Sequence, residues 1–154
     1  MNGELNQNEV ITYVNDNPLI VLGTVGEDGV PHGAAVYAIA TMADQLYFVT
    51  KTETQKYKDI LLNPNVSVTI VNVSENSSLQ GAGQVEIQDD PQIIEMVMKK
   101  MNSIYAQVLD WLPPIAKLRA GAYQIVGIKL HYARLARFKG KDIGSKNIFR
   151  ESTT

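Results

Sequence analysis

The chain has no cysteine, only two histidines, no apolar run near the roughly 18 residues that cross a bilayer, and no marked excess of either charge. Without cysteine there is no disulfide framework, no thiol nucleophile and no thiolate metal site, and a reducing cytoplasm is the expected compartment. With only His32 and His131, a histidine-rich metal site is excluded. Fourteen basic against sixteen acidic residues leave a formal charge of -2, which argues against wholesale nucleic-acid binding. The polar start, Met-Asn-Gly-Glu-Leu-Asn-Gln-Asn, lacks the basic-then-apolar order of a signal peptide, so no membrane partner is expected. No Gly-x-Gly-x-x-Gly follows a strand and no Walker-type glycine loop occurs.

What is present is a chain of 154 residues, 45% hydrophobic, enough for one core. We read residues 1–154 as a single domain with weakly structured tails at 1–8 and 140–154. The charge is unevenly spread. From Lys117 onward nine Lys or Arg face two acids, a local +7, which leaves -9 for residues 1–116. Such a split suits an acidic ligand near the tail, or opposite faces that complement each other between subunits.

Asn8 can cap a short helix that Asn17-Pro18 stops. Strands are then expected at Leu19 to Val25, Pro31 to Met42, Gln45 to Thr50, Val66 to Ile70 and Leu79 to Gln88, and finally at Tyr123 to Leu130 and Ala133 to Phe138. Gly81 and Gly83 suggest a bulge or a close backbone approach. Asp90-Pro91 opens a helix whose stripe of Ile94, Val97, Met101, Ile104, Tyr105 and Val108 faces a core before Trp111-Leu112-Pro113-Pro114 ends it. Six or so antiparallel strands with interspersed helices imply an α+β fold, a small closed or partly closed barrel.

Residues 46 to 64 carry the clearest chemistry. A strand there runs into a helix whose first turn holds hydroxyls and lysines, and the unpaired N–H groups and dipole of a helix start attract an anion. Thr52 and Gln55 have the spacing of a capping box, Tyr57, Ile60 and Leu61 give a core-facing stripe, and Asn63-Pro64 stops the helix. Lys51 and Lys56 stand where lysines oppose the dipole, so their placement asks for a negative ligand. A solvated surface helix with capping threonines has the same spacing, and both readings stay open on these residues alone.

The order Gly29-Val30-Pro31-His32-Gly33, Leu46-Tyr47-Phe48-Val49-Thr50 and a lysine-bearing helix ending in Asn63-Pro64 resembles the pyridoxamine 5'-phosphate oxidase-like FMN-binding split-barrel family, over roughly residues 10 to 135. The resemblance implies a six-stranded antiparallel split β-barrel with flanking helices. The family's strand-to-helix pattern, Phe-Tyr-Thr-Asn-Tyr-x-Ser-Arg-Lys, is matched by Phe48, Thr50 and Lys56, with Thr54 replacing the serine. Lys51, Thr52 and Gln55 depart from it. The resemblance thus implies that Thr50, Lys51, Thr54, Gln55 and Lys56 hold an FMN phosphate. It also implies that Ala34, Ala35, Val36 and Tyr37 lie along the flavin ring at a homodimer interface, with Gln84 and Trp111 as further flavin contacts. Trp111 is also readable as a helix-end core residue, and Gln84 as an outward strand residue.

In the second strand the vitamin oxidases present an arginine where this chain offers only His32, and the tail Arg137 to Arg150 does not resemble their substrate segment. The expectation is therefore an FMN-binding oxidoreductase of a small substrate rather than a true pyridoxamine 5'-phosphate oxidase. No catalytic residue stands out, as suits a protein whose cofactor carries the chemistry. Relatives of this barrel also bind the deazaflavin F420, or haem, for which His131 would be the axial candidate. A non-catalytic flavin-binding or sensing dimer is the alternative of a different class.

Overall fold

Period-two alternation governs most of the chain. Ile20, Leu22 and Thr24 turn inward while Leu19 and Val21 turn out, and on the fourth strand Val66, Val68 and Ile70 are buried between exposed or half-buried neighbours. The computed structural model describes residues 7–105, 120–139 and 142–149. Its elements are α1 (Gln7–Asp16), β1 (Leu19–Val25), β2 (Pro31–Met42), β3 (Gln45–Lys51), α2 (Gln55–Leu62), β4 (Asn65–Asn72), β5 (Ser77–Gln88), α3 (Pro91–Ile104), β6 (Tyr123–Lys139) and β7 (Asp142–Phe149).

The strands follow the order β3-β2-β1-β4-β5-β6-β7, all neighbours antiparallel, and β3 also pairs with β6. That extra pairing closes six strands into a barrel with three flanking helices, the expected α+β split barrel. The inward faces meet in one apolar core that includes Leu22, Phe48, Val68, Leu79 and Ile128, with Val10, Tyr13 and Val14 of α1 joining it. A second cluster lies outside the sheet, where Val97, Met98, Met101 and Tyr105 pack on Ile39, Tyr47 and Ile125.

Several expectations are corrected. The two last strands are one, because β6 runs without a break past a bulge: Ala82 faces Tyr132 and Gly83 faces Leu130, so His131 is the extra residue. Gly81 and Gly83 serve that bulge, since a Cβ on either would collide with β6 backbone carbonyls, those of Tyr132 and Lys129 respectively. The segment read as a weakly structured tail forms β7 over Asp142–Phe149. One edge of β6 is taken by β5, and the other passes from β3 (up to Lys129) to β7 (from Ala133), so β7 occupies the edge that β3 leaves open. At the other end, helix α1 begins at Gln7, one residue before the expected cap Asn8. Helix α3 is described to Ile104 with Tyr105 as its C-cap. The expected continuation to Val108, and Trp111 with it, lies outside the described residues.

One outer face stands out for what it lacks. Val21 sits between Ala35 and Thr69, and Gly23 between Gly33 and Ser67, with Ala82 beyond Ser67. Leu19 and Val21 are 53% and 48% exposed, and across β2, β1 and β4 these rows contain no charged residue.

Candidate functional site

The barrel is split at one rung. Strands β2 and β3 pair only from Ala38 opposite Phe48 onward. Beyond that rung β3 continues to Lys51 along β6, while β2 runs back to Pro31 along β1. Among the described residues, no strand covers the β2 edge over residues 31–37. Ala38 N–H donates to Pro18 on the β1 side at 2.9 Å. By the alternation of an antiparallel ladder, the N–H and C=O groups of Gly33, Ala35 and Tyr37 therefore point to the open edge. Ala34 and Val36 instead pair their backbones with β1, and their side chains turn toward the core.

Helix α2 starts directly after the free end of β3. Its N-cap is Thr54, whose Oγ1 accepts from Tyr57 N–H at 3.4 Å, donates to the Lys51 carbonyl at 2.9 Å, and lies 3.1 Å from Thr50 Oγ1. Thr50 is buried, so the two hydroxyls form a pair at the strand-to-helix junction. The expected capping box is corrected. Thr52 still belongs to the β3–β6 edge, its N–H bonding to the Ala122 carbonyl at 3.2 Å and its hydroxyl donating to the Gly121 carbonyl at 3.2 Å, so the helix can begin only after it. The apolar stripe is also smaller than expected, since Ile60 is buried and Tyr57 half-buried but Leu61 is 59% exposed.

Of the two lysines, Lys51 is exposed with Nζ 5.9 Å from the Tyr123 ring centre. Lys56, in the first turn of α2, is half-buried, and burial holds its pKa below the ordinary lysine value. Among the described residues it has neither a carboxylate nor a hydrogen-bond partner.

A buried carboxylate that the sequence reading passed over organises this helix. Asp59 is 1% exposed. Its Oδ2 accepts from Thr24 Oγ1 at 2.7 Å and from His32 Nδ1 at 2.7 Å, and its Oδ1 from Gln55 Nε2 at 2.8 Å. Burial alone would push the Asp59 carboxyl up, but the hydrogen bonds from Gln55, Thr24 and His32 outweigh it and hold it below the ordinary carboxylate range. Because the folded value lies below the unfolded one of about 3.9, its stabilisation is complete above that pH and fades as pH falls through the folded value. The stability difference between the wild type and Asp59→Asn, followed by urea unfolding, is therefore expected to stay constant from about pH 5 to 8 and to narrow below about pH 4. The signal available in the sequence was an acid set beside Ile60 in an apolar stripe.

At the rung where the strands part, Tyr105 donates its hydroxyl to the Ala38 carbonyl at 2.6 Å and meets the Tyr37 ring edge-on, centroids 5.6 Å apart. Burial pushes the Tyr105 hydroxyl pKa well up, with Tyr37 adding to it, so the proton stays on as donor. The remaining expected contacts are elsewhere. Gln84 is exposed on the outer face of β5 and bonds Asn65 at 3.1 Å, while His131 is exposed at the β6 bulge. Among the described residues no group of three or more His, Cys, Asp or Glu could hold a metal ion, and no helix is long and apolar enough to cross a membrane.

The family profile described as pyridoxamine 5'-phosphate oxidase matches residues 7–136. No curated protein matches the chain. Among solved structures, an F420 reductase is similar at 25% identity and TM-score 0.64, covering 85% of this chain and 98% of its own. A conserved hypothetical protein from Mycobacterium tuberculosis aligns at 20% identity and TM-score 0.71, covering 93% and 94%. A Clostridium acetobutylicum protein related to general stress protein 26, of the pyridoxinephosphate oxidase family, aligns at 17% identity and TM-score 0.65, covering 93% and 95%.

Proposed function

Because the chain belongs to the pyridoxamine 5'-phosphate oxidase family, we propose that it binds FMN at the β2–β3 split and acts as an oxidoreductase on a small substrate. The observation that carries this reading is Lys56: a half-buried cation in the first turn of α2, the helix capped by the Thr50 and Thr54 hydroxyl pair, with no carboxylate to neutralise it among the described residues. A phosphate there would meet the helix dipole, the hydroxyls and Lys56, with Lys51 as second cation. The Gln55 side chain already donates to Asp59, so the charge the family pattern places at that position falls to the lysines.

The open β2 edge suits the rest of the ligand. Ala35 and Gly33 leave the backbone accessible, and their edge-facing N–H and C=O groups, which no strand covers among the described residues, can be met by the polar rim of a flavin ring. When bound, the flavin supplies hydride and electron transfer, and the chain's residues bind, orient and shield it. The uncharged outer face around Val21, Ala35 and Ala82 adjoins the same edge, and it supports a homodimer with the flavin at the subunit interface. Sedimentation of the flavin-loaded protein as a dimer is the expected result, and a flavin-loaded monomer would contradict the interface site.

Lys56→Ala is expected to weaken FMN binding by about 1.5–3 kcal/mol, the range for hydrogen bonds to charged groups, without changing the melting temperature of the free protein by more than a few degrees. An unchanged dissociation constant would remove Lys56 from the phosphate site. A second reading, binding of the deazaflavin F420, draws on the 25% identity to an F420 reductase. Parallel titration with both cofactors separates the two, and turnover with NADH or NADPH and a panel of acceptors separates an enzyme from a binding module.

A further inference from the structure

We propose that Asp59 is the positioning residue of the phosphate site, and that His32 acts on that site through Asp59 rather than by touching the ligand. The inference rests on the FMN reading above and goes beyond it, because neither residue belongs to the hydroxyl and lysine cluster at the helix start.

Helix α2 has eight residues, too few to be stable alone, and only Ile60 among its apolar side chains is buried, with Leu61 and Leu62 59% and 65% exposed. With half-buried Tyr57 as its other contact with the core, apolar packing alone fixes its rotation weakly. The Asp59 carboxylate supplies what packing does not. It takes donors from three elements, Thr24 of β1, His32 of β2 and Gln55 of α2 itself. Thr24 and His32 face each other across the β1–β2 ladder, on the stretch of β2 whose far edge is open. One carboxylate thus ties the first turn of α2, which carries Thr54 as cap and Lys56 beside it, to the strand along which the flavin ring would lie.

The charge logic agrees. A bare carboxylate about one turn from a bound phosphate would oppose it, whereas one that accepts three hydrogen bonds has its charge met within the protein. His32 is placed for this work, since its Nδ1 is committed to Asp59 at 2.7 Å and its ring packs over Gly26 beside the Asp28 carboxylate.

The test compares FMN with riboflavin, which lacks the phosphate, by fluorescence titration of the full-length wild type, His32→Ala and His32→Asn. The His32 side chain is 39% exposed, so both variants should fold, and thermal unfolding checks that they do. His32→Ala is expected to weaken FMN about tenfold while leaving riboflavin within about twofold. His32→Asn, whose Nδ2 can stand where the ring Nδ1 stands, is expected to restore FMN to within about twofold of wild type. An unchanged FMN affinity in His32→Ala, an equal loss for both flavins, or no rescue by asparagine would overturn the positioning role while leaving the FMN reading intact. Wild-type protein that binds neither flavin would end the FMN reading and this inference with it.

Discussion

Phe48→Ala is expected to lower the free energy of unfolding by about 3–5 kcal/mol, the largest single effect among the changes considered. Phe48 is fully buried and lies between Ala38 of β2 and Val126 of β6, with its ring in the barrel core. Its neighbour across β2 is an alanine, too small to fill the space left behind, so only Val126 flanks the gap within its rung. The site is also the last rung before β2 and β3 part, where only one flank can relax without opening the split further. Urea unfolding should show a lower midpoint with an unchanged slope, and Phe48→Leu should recover most of the loss. A loss below about 1 kcal/mol for the alanine variant would mean that the barrel collapses around Phe48 more freely than this packing allows.

Asp59→Ala should cost about 2–4 kcal/mol, roughly 4–16 °C in melting temperature for a chain of this size. Three donors lose an ionised acceptor at once, but they do not suffer equally. Gln55 is exposed and His32 partly so, and both can turn to water, whereas Thr24 is 2% exposed and is left with a buried hydroxyl. The larger part of the cost is therefore assigned to Thr24. The double change Thr24→Val with Asp59→Leu removes donor and acceptor together, and its cost should fall clearly short of the sum of the singles. Strict additivity would show that the two side chains do not share one hydrogen-bond network.

These expectations draw on features that were unequally legible in the sequence. Strong period-two patterns such as Val66, Val68 and Ile70 declared strands outright, and the glycines at 81 and 83 pointed to a bulge or a close backbone approach, of which the β5–β6 pairing shows both. The helix start was readable to within two residues. Thr52 and Gln55 have the capping-box spacing, yet the pairing of β3 with β6 extends through Thr52, and that tertiary contact decides for Thr54. Asp59, marked only by its place beside Ile60, was not legible as a site because two of its three partners lie 35 and 27 positions away, and a lone acid in a short amphipathic helix looks like solvent-facing charge. Strand β7 was missed for a similar reason: Asp-Ile-Gly-Ser-Lys-Asn-Ile-Phe is largely polar, with no sustained period-two pattern, and it becomes a strand because β6 has a free edge there. The candidate site follows the same division, with the hydroxyls and Lys56 marked by local chemistry and the buried network that seats them set by long-range contacts.

The account rests on a phosphate-bearing flavin at the β2–β3 split, and titration of the purified protein with FMN tests it most directly. Quenched flavin fluorescence and a melting temperature raised by roughly 5–10 °C at a hundredfold excess over the dissociation constant are the predicted result, the rise following from about 2.7 kcal/mol of ligand stabilisation. Unchanged fluorescence together with an unchanged melting temperature would contradict it.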